Sequence, residues 1–135
     1  MVLFVCLVIA MQFWPIERTN PQVISDIQSP REVKKVLRLA CYNCHSNETQ
    51  WPWYSRVAPV SWLLIHDVSE AREKLNFSDW EAIPIGDRPA IARQMWREVE
   101  NGEMPLPIYR ILHPEAHLSE IQKNTIRDWA VSNPQ

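Results

Sequence analysis

Cys41, Tyr42, Asn43, Cys44 and His45 spell C-x-x-C-H. Two thiols three positions apart lie on one side of a helical turn, so each sulfur can reach one vinyl carbon of a single porphyrin and close a thioether. The imidazole that follows is tethered beneath the metal, where a ring nitrogen can serve as proximal axial ligand. One pentapeptide thus accounts for attachment and one coordination bond of a single covalent c-type haem. Zinc, a redox dithiol or disulfide, and a chance five-residue match compete. A zinc site needs further ligands at matching spacing, and the chain has no second C-x-x-C. A thioredoxin-type dithiol belongs beside a βαβ pattern, which the helical periodicities below do not give.

The second stretch with chemistry is Glu103-Met104-Pro105-Leu106-Pro107. Prolines on both sides of Leu106 stiffen an extended loop, so the thioether of Met104 can be presented at fixed distance as a sixth ligand. The competing reading is a methionine filling a gap in the core. His66 is the runner-up distal ligand, on a helix face shared with Trp62, Ile65 and Ser69. His113 and His117 flank Pro114, and this break argues against a metal pair and for solvated loop histidines. Between motif and loop, Trp51, Trp53 and Tyr54 surround a proline; they can wall a porphyrin edge, and Tyr54, the indole N–H groups or Arg56 can bond its propionates. Plain core packing is an equal alternative for each aromatic.

These groups need elements to hold them. At 135 residues the chain is one domain's worth, with 7 tryptophans and 2 glycines. A net charge of −2 and the absence of a basic stripe leave no place for nucleic acid. With Cys6 alone outside the motif, a disulfide framework is not expected. Ser29 can cap a helix with Pro30 at its first position and Glu32 completing a capping box. Val33, Val36, Leu37 and Ala40 then form one stripe that delivers Cys41. Further helices are expected over Pro59 to Leu75, from an Asp87 cap to Asn101-Gly102, and after Ser119. The last carries a Gln122 capping box and an apolar side of Leu118, Ile121, Ile126 and Trp129 that calls for packing on the helix before Cys41. Ser78 and Glu81 suggest another capping box, and Met95 reads as core.

Residues 1–16 are apolar until Trp14-Pro15 and resemble a membrane anchor or signal segment. A helix of ~14 residues spans ~21 Å, short of a ~30 Å hydrocarbon core, so a full crossing needs help from flanking residues. An uncleaved anchor is favoured over a cleaved signal that would leave a soluble periplasmic protein. Residues 17–28 carry no sustained period and read as a linker, leaving 29–135 as the haem-binding domain.

Together these features look like the small c-type cytochromes. More closely, CYNCHSNETQWPWYSRVAPVSWLLIHDVSEAREKLNFSDW and GEMPLPIYRILHPEAHLSE resemble the bacterial haem-binding domain family, over roughly residues 20–132. The resemblance implies an all-α, cytochrome c-like fold preceded by an N-terminal hydrophobic helix, and haem carried on the periplasmic side of the cytoplasmic membrane. It carries over Cys41, Cys44 and His45; Met104 follows by analogy with ordinary cytochromes, which lack the aromatic loop. The expected function is one-electron transfer by a His45/Met104 haem to transient redox protein partners. Methionine ligation raises the potential relative to two histidines. The alternative is a haem sensor or gas-binding module with a labile distal site, using His66 or Tyr54 as donor. No placed acid–base pair marks a peroxidase, so no enzyme activity is expected.

Overall fold

The computed structural model describes residues 1–14 and 16–132; Pro15, which closes the apolar N-terminal segment, and the last three residues lie outside the described set. Every regular element among the described residues is helical. α1 runs Val2–Met11, α2 Arg31–Ala40, α3 Tyr42–His45, α4 Val60–Lys74, α5 Arg88–Glu100, α6 Pro107–Leu112 and α7 Glu120–Val131. Short 3₁₀ turns at Trp53–Arg56, Phe77–Ala82 and Pro114–Ala116 link them.

The α2 stripe is buried as its spacing requires, with Val33, Val36, Leu37 and Ala40 all inside. It packs on α7, which also lies against α5, and α3 seats on α4. Ile126, Trp129 and Ala130 are the buried side of α7, whereas Ile121 is 80% exposed. The Ser119–Gln122 capping box forms in both directions. The expected box at Ser29 does not. The chain enters α2 with Pro30 extended, so the helix starts one residue later and the Ser29 hydroxyl is left buried without a partner among the described residues. At Ser78 the cap comes from Asn76, whose side chain accepts from the Ser78 amide, while the Ser78 hydroxyl accepts from the Asn47 amide at 3.0 Å. α5 stops where expected: Gly102 takes φ +76, and the Glu98 carbonyl accepts from both Glu103 and Met104. Met95 packs against the core.

Residues 17–28 differ most from expectation. They form no helix, yet they are a strap bonded along its length rather than a free linker. The Thr19 carbonyl accepts from Arg72, the Gln22 carbonyl from Asn47, and the amides of Ile24 and Ser25 both donate to the Ser78 carbonyl. Asp26 meets Lys34, Arg38 and Tyr42, and Ile27 is fully buried. Loop backbone can lie against a core in this way because other segments supply its hydrogen bonds.

α1 is a 10-residue apolar helix with no buried side chain. No helix among the described residues is long and apolar enough to cross a membrane. Just beyond α1, the Gln12 amide brackets Ala58, donating to its carbonyl at 3.2 Å and accepting from its amide at 3.0 Å.

Candidate haem site

α2 ends at Cys41, whose backbone leaves helical geometry at φ −121, and α3 restarts at once. The Cys41 carbonyl accepts from the amides of Cys44 (3.1 Å) and His45 (2.9 Å), closing a single turn that carries both thiols. Neither thiol is in a disulfide. Burial, reinforced at Cys41 by Cys44, pushes the Cys41 thiol up to about 12, and burial with the nearby Asp67 charge pushes Cys44 to about 11. Exchange chemistry needs thiolate, so these sulfurs do not have the character of a thioredoxin-type pair. Among the described residues, no group of three or more His, Cys, Asp or Glu side chains could hold a metal ion.

The His45 ring is fixed from outside the motif. Its Nδ1 lies 3.1 Å from the carbonyl oxygens of both Ala71 and Leu75, at the C-terminal end of α4. Carbonyls only accept, so Nδ1 carries the proton and donates, and Nε2 is the nitrogen with the free lone pair. Burial lowers the His45 pKa against the pull of these two bonds, which keeps the ring neutral. A neutral imidazole with one nitrogen pinned by its N–H is the donor form a metal takes. This is the observation that makes the residues fit a haem iron. No side-chain pattern marks these acceptors, because they are backbone carbonyls at the end of α4, and that of Ala71 also accepts from the Leu75 amide at 2.9 Å.

The two residues between the thiols are anchored as well. The Tyr42 ring stacks on Phe77 at 5.1 Å and lies under the Arg38 guanidinium, with its hydroxyl donating to Asp26. The Asn43 amide donates to the Tyr109 hydroxyl at 2.9 Å, and its side-chain oxygen accepts from the Gln50 amide. The C-x-x-C-H spacing leaves both positions open, and the fold uses them as docking points.

Tyr109 belongs to a polar aromatic cluster beside Cys44. Its ring stacks on His113 at 4.0 Å, and His113 bridges Tyr54 and Glu115, with 2.7 Å from Nε2 to the Tyr54 hydroxyl and 2.7 Å from Nδ1 to the carboxylate. In the neutral ring the carboxylate requires Nδ1–H, so Nε2 accepts from Tyr54. Burial, with the Cys44 and Glu115 charges, raises the Tyr54 pKa and keeps its hydroxyl protonated. His113 is therefore not the solvated loop histidine its neighbours suggested; its side chain is only 14% exposed. Glu115 and Tyr109 are near neighbours in the chain, but Tyr54 is 59 residues away, so no local pattern reveals the enclosure. His117 is exposed, as expected.

The remaining candidates scatter. His66 is 73% exposed beside Glu70, on the solvent side of α4 and away from the His45 ring contacts. Trp51 donates its indole N–H to Asn20 in the strap, Trp53 is 76% exposed with its edge on Tyr54, and Arg56 is exposed. Of the aromatic loop, Tyr54 lies within electrostatic reach of Cys44. Met104 is half-buried in the α5–α6 loop, whose following helix carries Tyr109 to Asn43. Cavities of about 450 and 290 Å³ lie elsewhere, the first lined by Trp51, Val68 and Arg72, the second by Trp14, Arg56 and Trp62; neither is lined by the motif or Met104.

Comparison with known proteins adds one match: residues 6–132 match the family model described as a haem-binding domain. Comparison with curated proteins and with solved structures gave no match.

Proposed function

The chain belongs to the haem-binding domain family, which supports haem as its ligand, and from that premise we propose that it is a one-electron carrier with the haem attached covalently. Cys41 and Cys44 would hold the porphyrin, and His45 through Nε2 and Met104 through its thioether would hold the iron. Bound haem would supply an Fe(III)/Fe(II) couple. The observation that carries this reading is the His45 ring, with Nδ1–H held by two carbonyls and Nε2 without a hydrogen-bond partner among the described residues. The α4 terminus thereby fixes the tautomer, and the buried surroundings disfavour a charged imidazole. The protein works without turning over a substrate, on the outer face of the cytoplasmic membrane, held there by α1 and meeting redox proteins transiently.

A second reading has a specific observation in its favour. Tyr54 and His113 place hydrogen-bonding groups beside Cys44, as a gas-binding or sensing module with a labile distal position would need. Optical spectra separate the two. Electron transfer expects a methionine-to-ferric charge-transfer band, lost in Met104→Ala, and a ferrous spectrum indifferent to carbon monoxide. Ready carbon monoxide binding by the wild type, with Met104→Ala unchanged, overturns it. A change in the distal spectrum of His113→Ala would place that imidazole at the iron instead. Haem that acidified organic solvent extracts from the wild type rules out the thioethers.

A further inference from the structure

We propose that Arg72 is a positioning residue for the His45 imidazole, through one guanidinium that fixes the motif backbone against the same stretch of α4 that accepts from the ring. Nε donates to the Ser46 carbonyl at 2.8 Å, immediately after His45. Nη2 donates to Thr49 Oγ1 at 2.8 Å, and that hydroxyl donates to the Asn43 carbonyl, immediately before Cys44. Nη1 and Nη2 also reach the Thr19 carbonyl and Asn20 Oδ1, tying in the strap. Arg72 sits between Ala71 and Leu75, whose carbonyls accept the ring N–H. The motif backbone on both sides of Cys44-His45 and the imidazole itself thus hang on about one turn at the end of α4. The planar fork serves several acceptors at once, which a lysine ammonium on its flexible stem cannot reproduce.

The inference rests on the reading of His45 as the iron ligand. Hydrogen bonds from the distal ring N–H raise the basicity of the ligating nitrogen and so favour the ferric state. Loosening the motif from α4 lengthens them and should raise the midpoint potential. Loss of a nearby positive charge by itself acts in the opposite sense. Potentials of the holoprotein therefore test the idea: Arg72→Lys, which keeps the charge, should rise by about a tenfold displacement of the ferric/ferrous equilibrium, or ~59 mV for one electron, and Arg72→Gln, which loses it, should rise less. A fall in Arg72→Gln with Arg72→Lys unchanged would mean a charge effect only, and no change in either would mean no role; both outcomes overturn the proposal. In the apo-protein the exchange-protected His45 Nδ1–H signal, observed by ¹H–¹⁵N NMR, should be lost in both variants. If neither variant folds, Thr49→Val decides, since it cuts the link to Asn43 and leaves the guanidinium in place: a smaller rise supports positioning and an unchanged potential refutes it. His45→Ala keeps the two levels apart. An unchanged ferric spectrum there sinks the ligand assignment itself, whereas an altered one with unshifted Arg72 variants sinks only the role of Arg72.

Discussion

Replacing Asp26 by alanine should destabilise the fold by about 2–3 kcal/mol, most of it through Tyr42. Three groups converge on this carboxylate. The Lys34 ammonium at 2.8 Å and the Arg38 guanidinium at 3.5 Å belong to side chains roughly a third to a half exposed. Partly exposed pairs of this kind contribute ~0–1 kcal/mol. The Tyr42 hydroxyl is different, because the residue is only 3% exposed and the bond is to a charged acceptor. Such bonds are worth roughly 1.5–3 kcal/mol, and an orphaned buried hydroxyl adds a desolvation penalty. At roughly 4 °C per kcal/mol for a domain of this size, the melting temperature should fall by about 8–12 °C. Thermal unfolding followed by circular dichroism measures it, with Glu32→Ala as control, since the Glu32–Lys35 pair is well exposed and should change stability by less than ~0.5 kcal/mol. A double-mutant cycle with Tyr42→Phe should give a coupling of about 1–2 kcal/mol. If Asp26→Ala behaves like the control, or the cycle is additive, residues 17–28 are a tether after all and the account of the strap is wrong.

The same carboxylate sets an acid limb. Burial opposes its ionisation, but hydrogen bonds from Lys34 and Tyr42 and the Lys34 and Arg38 charges outweigh this and hold its pKa below the ordinary 3.8. A depressed carboxyl contributes stability that is fully present above its unfolded value and lost as pH falls through the folded one. The stability gap between wild type and Asp26→Asn should thus be constant above about pH 5 and close below about pH 4, as read from denaturant midpoints; a gap that widens in acid contradicts the assignment. Phe77→Ala should cost about 3–5 kcal/mol, since the side chain is fully buried against Tyr42 and 6.0 Å from the His45 ring. Urea unfolding should show a loss of that order, and a cost under ~1 kcal/mol would mean the ring is not core. Ser119→Ala removes a complete capping box and should cost about 1 kcal/mol, with Ser29→Ala, which caps nothing, at or below zero.

What the sequence made legible is what repeats or has fixed chemistry. The α2 stripe, the α7 cap, the Gly102 stop and the C-x-x-C-H turn each depend on residues within a few positions of one another, so local rules suffice. Ser29 and Ser78 have the right neighbours for capping boxes, yet Pro30 delays the helix at one and the Asn47 amide competes for the hydroxyl at the other. The strap escaped because it has no period at all. Its partners are Arg72, Asn47 and Ser78, which only the tertiary fold brings to it. For the same reason the histidine that looked central, His66, faces solvent, while His113, which looked peripheral, is enclosed by two tyrosines from different segments.

Tyr42 and Asn43 fasten the turn between the thiols to Asp26 on one flank and Tyr109 on the other, partners contributed by opposite ends of the sequence. With both moorings made, each sulfur is half-buried on a turn held from two sides. Chemistry that must reach both sulfurs at once is therefore favoured before the two flanks close, and the order in which they close governs how long the pair stays open.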